Sequence, residues 1–162
     1  MKNGQEIKKD KLKDGQILDL FYANELLIAK LYSEYANKTV LAEFWKELAE
    51  EEVRHAKIIK IANEEYLLSN YFLEYQPFLH EMITYVYTFV VNEYEQSSSK
   101  SKIDDLYSLE KALRIEQSII ESKCLEVFTY TPEQIARTFK ALNQDTDRHI
   151  IMLKKKYKKL KK

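Results

Sequence analysis

The chain is poor in the residues that turn a polypeptide sharply. It holds two glycines (Gly4, Gly15) and two prolines (Pro77, Pro132), and no glycine follows position 15. The tight hairpins of an all-β fold draw on glycine, so that class is excluded and helices are expected. A single cysteine, Cys124, rules out an internal disulfide, a Cys-rich zinc framework and an iron–sulfur cluster, and reads as a small buried hydrophobe. No apolar run is long enough to span a bilayer, and the charged N-terminal stretch contains no apolar core, so neither a membrane span nor a secretory leader is expected. Charge of one sign is missing as well. The 26 Lys+Arg balance 26 Asp+Glu, which argues against a general nucleic-acid binder and fits a cytoplasmic protein. The terminal KKKYKKLKK reads as a solvated helix end whose cations suit the helix dipole.

What is present is enough for one core. The 162 residues are 45% hydrophobic and 32% charged, which suits a single domain over 14–162 behind a flexible segment, 1–13. Leu18, Phe21, Ile28, Tyr32 and Tyr35 follow the three-and-four spacing of a helix with one buried stripe, over about 16–36. Leu41, Phe44, Leu48, Ile59 and Ala62 continue it in a second helix over 39–64, with Thr39 as N-cap. The link is short, so these two helices are antiparallel. Leu109, Leu113, Ile120 and Val127 mark a third helix over 103–128. Thr131, Pro132 and Gln134 form a capping-box start for a fourth, over 132–159, with Ile135, Phe139, Leu142, Leu153 and Tyr157 on its seam. Residues 66–102 are too many for a turn and contain a helical, aromatic-rich piece over about 78–95. Two antiparallel hairpins joined by a long, partly helical crossover have the connectivity of a ferritin-like four-helix bundle, and the surplus aromatics of the crossover point to a homodimer surface.

Ionisable residues interrupt these seams. Glu25 falls between Phe21 and Ile28, Glu52 and His55 between Leu48 and Ile59, Glu116 between Leu113 and Ile120, and His149 between Leu142 and Leu153. Buried charges need a partner or a metal. Three carboxylates and two imidazoles at one level suit a pair of transition-metal ions, because carboxylates bridge cations and neutral imidazoles favour iron, manganese or zinc over magnesium or calcium. His80, on the crossover, has no seam partner and reads as structural or surface.

The stretches FYANE (21–25), ELAEEEVRHAKII (47–59), ALRIEQS (112–118) and FKALNQDTDRH (139–149) resemble the rubrerythrin branch of the ferritin-like superfamily. That branch carries Glu on the first helix, Glu-x-x-His on the second, Glu on the third and Glu-x-x-His on the fourth. The resemblance implies that Glu25, Glu52, His55, Glu116 and His149 are metal ligands, with Glu52 bridging, Glu25 and Glu116 terminal and the histidines donating nitrogen. It also makes Tyr32 the tyrosine that many such sites keep near their metals. One position departs from the pattern: Thr146 stands three residues before His149, where the second bridging Glu is expected. Asp145, four residues before His149, shares that face and is a candidate substitute ligand. There is no CxxC pair for a rubredoxin domain, and Ile119 stands where rubrerythrins carry a further Glu.

By this resemblance the expected function is that of a non-haem di-iron oxidoreductase reacting with dioxygen or peroxide, or a ferroxidase, served by a separate electron-transfer protein. The alternative is a degenerate ferritin-like bundle kept as a structural or interaction module without redox turnover, for which Thr146 is the best argument.

Overall fold

The computed structural model describes residues 4–69, 73–130 and 132–162. It is almost entirely helical. Helix α1 runs over Gly4–Lys38, α2 over Ala42–Leu68, α3 over Leu79–Ser98, α4 over Asp105–Glu116, α5 over Ile119–Ser122 and α6 over Glu133–Leu160. Strand β1 (Glu74–Tyr75) pairs antiparallel with β2 (Phe128–Tyr130), with an irregular register between Glu74↔Tyr130 and Tyr75↔Phe128. No helix among the described residues is long and apolar enough to cross a membrane.

The order of contacts along each pair of helices sets their directions. Asp19 meets Asn63 at one end of α1 and α2, Glu25 meets His55 midway, and Tyr35 meets Trp45 at the other end, so the two helices are antiparallel. Lys38 O accepts from Ile103 N, Tyr32 meets Glu116 and Asn24 meets Glu121, so α4 and α5 run back along α1. Helix α6 is antiparallel to both α2 and α4, through Glu51–Arg148 and Glu110–Tyr157. Helix α3 lies against α1 and ends where Lys38 Nζ donates to the carbonyls of Ser97 and Ser98, at 2.8 and 3.1 Å, placing a cation on its negative end.

The expected seams are largely the buried ones. Leu18, Phe21, Ile28, Tyr32, Tyr35, Leu48, Ile59, Leu109, Ile135, Phe139, Leu142 and Leu153 are buried, whereas Leu41, Phe44, Leu113 and Tyr157 are only half-buried. Val127 lies outside the side chains described. Two aromatic groups bracket the middle of the core. Phe21, Phe128 and Phe139 meet at centroid separations of 5.1 to 6.1 Å on one side. Tyr32 and Tyr35 stand 5.3 and 4.9 Å from Trp45 on the other.

Four details differ from the sequence reading. Residues 4–13, expected as a flexible segment, continue α1. Thr39 does not cap α2. Its hydroxyl donates to Tyr35 O and accepts from Leu41 N within the turn, and Leu41 takes the N-cap position without a side-chain cap. Pro132 is the N-cap of α6, also without one, and Thr131 lies outside the described residues. The third helix does not reach 128: it stops at Glu116, where Ser118 N bonds back to Ile115 O and the Ser118 hydroxyl accepts from Glu121 N. A serine offering its side chain to the backbone competes with helix continuation. The β-branched and aromatic residues that follow then pair as β2.

The cap of α4 escaped the sequence reading. Asp104 accepts from Tyr107 N at 2.8 Å. Asp104→Ala should therefore cost about 1 kcal/mol in urea unfolding, the usual cost of losing a side-chain N-cap. An unchanged midpoint would show that α4 is held by its packing alone.

Candidate metal centre

Four helices and the short α5 deliver ionisable side chains to one level between the aromatic layers. Glu25 comes from α1, Glu51, Glu52 and His55 from α2, Glu116 from α4, Glu121 from α5, and His149 from α6. All seven are buried. Glu52 sits at the centre. Its Oε2 lies 3.0 Å from His55 Nδ1 and its Oε1 lies 3.1 Å from His149 Nδ1. Beyond them, Glu25 Oε2 is 3.7 Å from His55 Nδ1, and Glu116 Oε2 is 3.4 Å from His149 Nδ1. The imidazole rings stack with centroids 5.6 Å apart. The result is two clusters, Glu25/Glu52/His55 and Glu52/Glu116/His149, which share Glu52 and whose ligand atoms lie within 4.8 Å of one another. The five residues picked from the seams thus converge.

Burial and mutual charge set the protonation of the metal-free protein. Burial and the neighbouring Glu52 push the Glu25 carboxyl up to about 8. The same two causes raise Glu116, and burial followed by the charges of Glu25, Glu52 and Glu116 raises Glu121 well above the usual range. Burial also works against ionised Glu52, but the facing imidazoles of His149 and His55 outweigh it and hold this carboxyl well below the usual value. For the imidazoles burial disfavours the cation, yet Glu25 and Glu52 lift His55 to about 12, and Glu116 and Glu52 lift His149 to about 11. The sign of each shift follows from which neighbour it faces.

Some of the inner atoms are left without a hydrogen bond. Among the described residues, Glu25 Oε2, Glu52 Oε1 and His149 Nδ1 are buried without a partner in hydrogen-bond geometry. Orphaned buried polar atoms are costly, and these three all face the clusters. Carboxylate oxygens with imidazole nitrogens form a donor set suited to divalent transition metals. The residues present can hold a metal ion at either cluster.

Tyr32, expected near the metals, donates its hydroxyl proton to Glu116 Oε1 at 2.6 Å. Burial, then the charges of Glu116 and Glu52, push that phenol well above its ordinary value. Asp145 stands outside both clusters. Its Oδ2 stands 3.1 Å from Nε2 of His55, the ring nitrogen turned away from the clusters, so it supports an imidazole and is absent from both ligand groups. Thr146 is buried on α6 and contributes no charge. Cys124 is buried as expected, and its Sγ lies 2.8 Å from Asn143 Oδ1. His80 is exposed.

Three participants escaped the sequence reading. Glu51 occupies the outer nitrogen of His149, with Nε2 to Oε2 at 2.6 Å, and also accepts from Arg148. One residue before Glu52 on a helix, it reads as a solvated position, and only the approach of α6 buries it. Glu121 accepts from Asn24 Nδ2 at 2.6 Å. In a continuous helix it would stand five residues past Glu116 and well off the seam, and the break after Glu116 brings it back. The one available signal was Ser118 in a stretch otherwise patterned as helix. No protein-family model, curated protein or solved structure matches the chain.

Proposed function

We propose that the chain is a rubrerythrin-like, ferritin-like di-iron carboxylate protein that reacts with dioxygen or peroxide, or oxidises ferrous iron as a ferroxidase. The observation that carries this reading is Glu52, each of whose oxygens faces a different imidazole Nδ1 at about the same distance, 3.0 and 3.1 Å. That is the placement a bridging carboxylate needs. The antiparallel pairs α1–α2 and α4–α6, with α3 in the connection, support a ferritin-like arrangement of the four long segments.

Glu52 would bridge two irons, with Glu25 and His55 completing one end and Glu116 and His149 the other. Bound iron would supply the electrons for reducing an oxygen species. The chain supplies the setting. Glu25, Glu52, Glu116 and Glu121 provide four carboxylates, matching the charge of two divalent ions with neutral imidazoles and making up for Thr146. Asn24 orients Glu121, and Tyr32 holds Glu116 through its hydroxyl. The Phe21/Phe128/Phe139 and Tyr32/Tyr35/Trp45 layers keep water out along the bundle. In the metal-free protein Glu25 and Glu121, whose carboxyls are raised, hold protons that bound cations would displace. A separate electron-transfer protein and a homodimer through α3 complete this reading.

One observation favours a structural module instead: without metal, the two imidazolium ions are already balanced by two carboxylates held low, Glu52 between them and Glu51 on the outer nitrogen of His149. Anaerobic ferrous loading followed by peroxide or dioxygen separates the two readings. We expect about two ferrous ions per chain, converted to ferric iron faster than free ferrous iron under the same conditions. A protein that takes up no iron and shows no change in melting temperature would be the structural module.

A further inference from the structure

The outer nitrogens of the two histidines are tied together. His55 Nε2 meets Asp145 Oδ2 at 3.1 Å, and Asp145 Oδ1 stands 3.6 Å from Arg148 Nη2. That same Arg148 nitrogen bonds Glu51 Oε2, which lies 2.6 Å from His149 Nε2. On the inner side both Nδ1 atoms face Glu52. His55, Asp145, Arg148, Glu51, His149 and Glu52 therefore form a closed ring, drawn wholly from α2 and α6. Each helix supplies an acid for the other helix's imidazole.

We propose that Arg148 is a positioning residue for both metal sites: through Glu51 and Asp145 it fixes the two imidazoles with Nε2–H outward and Nδ1 inward. This rests on the metal-binding part of the proposed function, not on the redox part. The physical reason is that a carboxylate accepting from the outer N–H sets the tautomer and ring orientation of a ligating histidine. Here the two carboxylates share one guanidinium nitrogen, Nη2, whose two N–H donors are held in a fixed plane. The corresponding arginine of α2, Arg54, stands outside the ring. It approaches only the other oxygen of Glu51, at 3.5 Å, and is the more exposed of the two. A single cation thus joins the supports of two ligands that face two different metal positions, so loosening it should weaken both.

The test uses the full chain with Co²⁺ and Zn²⁺ as probes and compares Arg148→Met, Arg148→Lys and Arg54→Met. Arg148 is 45% exposed, so its replacement leaves the core intact. Arg148→Met should lower affinity at both positions by about 10- to 100-fold, the usual effect of losing an outer partner. Arg148→Lys should recover only part of the loss, since a flexible ammonium holds its donors in no fixed plane, and Arg54→Met should leave affinity within about twofold. In ¹⁵N-histidine NMR, the protected Nε2–H signals of both rings should broaden or vanish in Arg148→Met and persist in Arg54→Met. Loss of the His149 signal alone would overturn the proposal, because Arg148 would then serve one imidazole through Glu51. Equal losses in Arg54→Met would overturn it too, by making general positive charge the cause. The NMR comparison needs no metal, so a wild-type protein that binds none would sink the proposed function while the ring is still decided.

Discussion

Replacing Glu52 by Ala should take bound iron from about two ions per chain to none, measured by plasma mass spectrometry after anaerobic loading, whereas Glu25→Gln should leave about one. The difference follows from sharing. Glu52 belongs to both clusters, and Glu25 to one. Removing Glu52 takes the central anion from both positions and leaves His55 and His149 facing each other across a void, with centroids 5.6 Å apart. Their protonated forms lose a shared counter-ion, and breaking a buried ion pair from one side costs about 3 to 5 kcal/mol. The metal-free Glu52→Ala protein should accordingly unfold at lower denaturant. Glu52→Gln keeps the volume and serves if the alanine variant does not fold. About one ion retained in both Glu52 variants would mean that Glu116 and Glu121 form a site without a bridge, and the shared-carboxylate reading would be wrong.

Metal affinity should climb steeply with pH. In the metal-free protein His55 titrates near about 12 and His149 near about 11, each raised by its facing carboxylates against the opposing effect of burial. At neutral pH both imidazoles therefore carry an extra proton that a metal must displace. Glu25, raised to about 8 by burial and by Glu52, holds a third. The free protein binds more protons than the loaded one, so lowering the pH favours the free form. Two imidazole protons alone imply a rise of about a hundredfold per pH unit in the constant for filling both positions between about pH 6 and 8. Calorimetry in buffers of different ionisation enthalpy counts the released protons directly. Fewer than two would show that Glu52 does not keep the imidazoles charged.

The two experiments interrogate the same arrangement from opposite sides. Glu52 is an anion facing two imidazoles in the metal-free protein, and in the proposed function it would bridge two metal ions. The carboxyl is kept ionised in either case by what faces it, which is why its own pKa moves opposite to those of Glu25 and Glu116.

The helices and the inner acidic and imidazole side chains were legible in the chain itself. The three-and-four spacing of Leu18, Phe21, Ile28 and Tyr32, and its counterparts in the later segments, specifies which stripe each helix buries, because burial of apolar area is local to a face. A Glu or His on such a stripe is then conspicuous, as Glu25, Glu52, His55, Glu116 and His149 were. The near absence of glycine and proline leaves the helices long.

Tertiary structure alone decided the rest. Whether Glu51 is solvated or buried depends on α6 arriving with His149 and Arg148, a contact between residues nearly a hundred positions apart that no periodicity encodes. Asp145 shares a face with His149 on its own helix, yet the packing of α6 on α2 turns it to the outer nitrogen of His55. Glu121 reaches the centre only because α4 stops at Glu116 and the chain turns at Ser118. Local patterning determines which side chains a helix buries, since that is a property of its own surface. Which buried groups meet, which nitrogen faces inward and which acid supports it are set by the relative placement of helices, where side chains on separate segments first come within bonding distance.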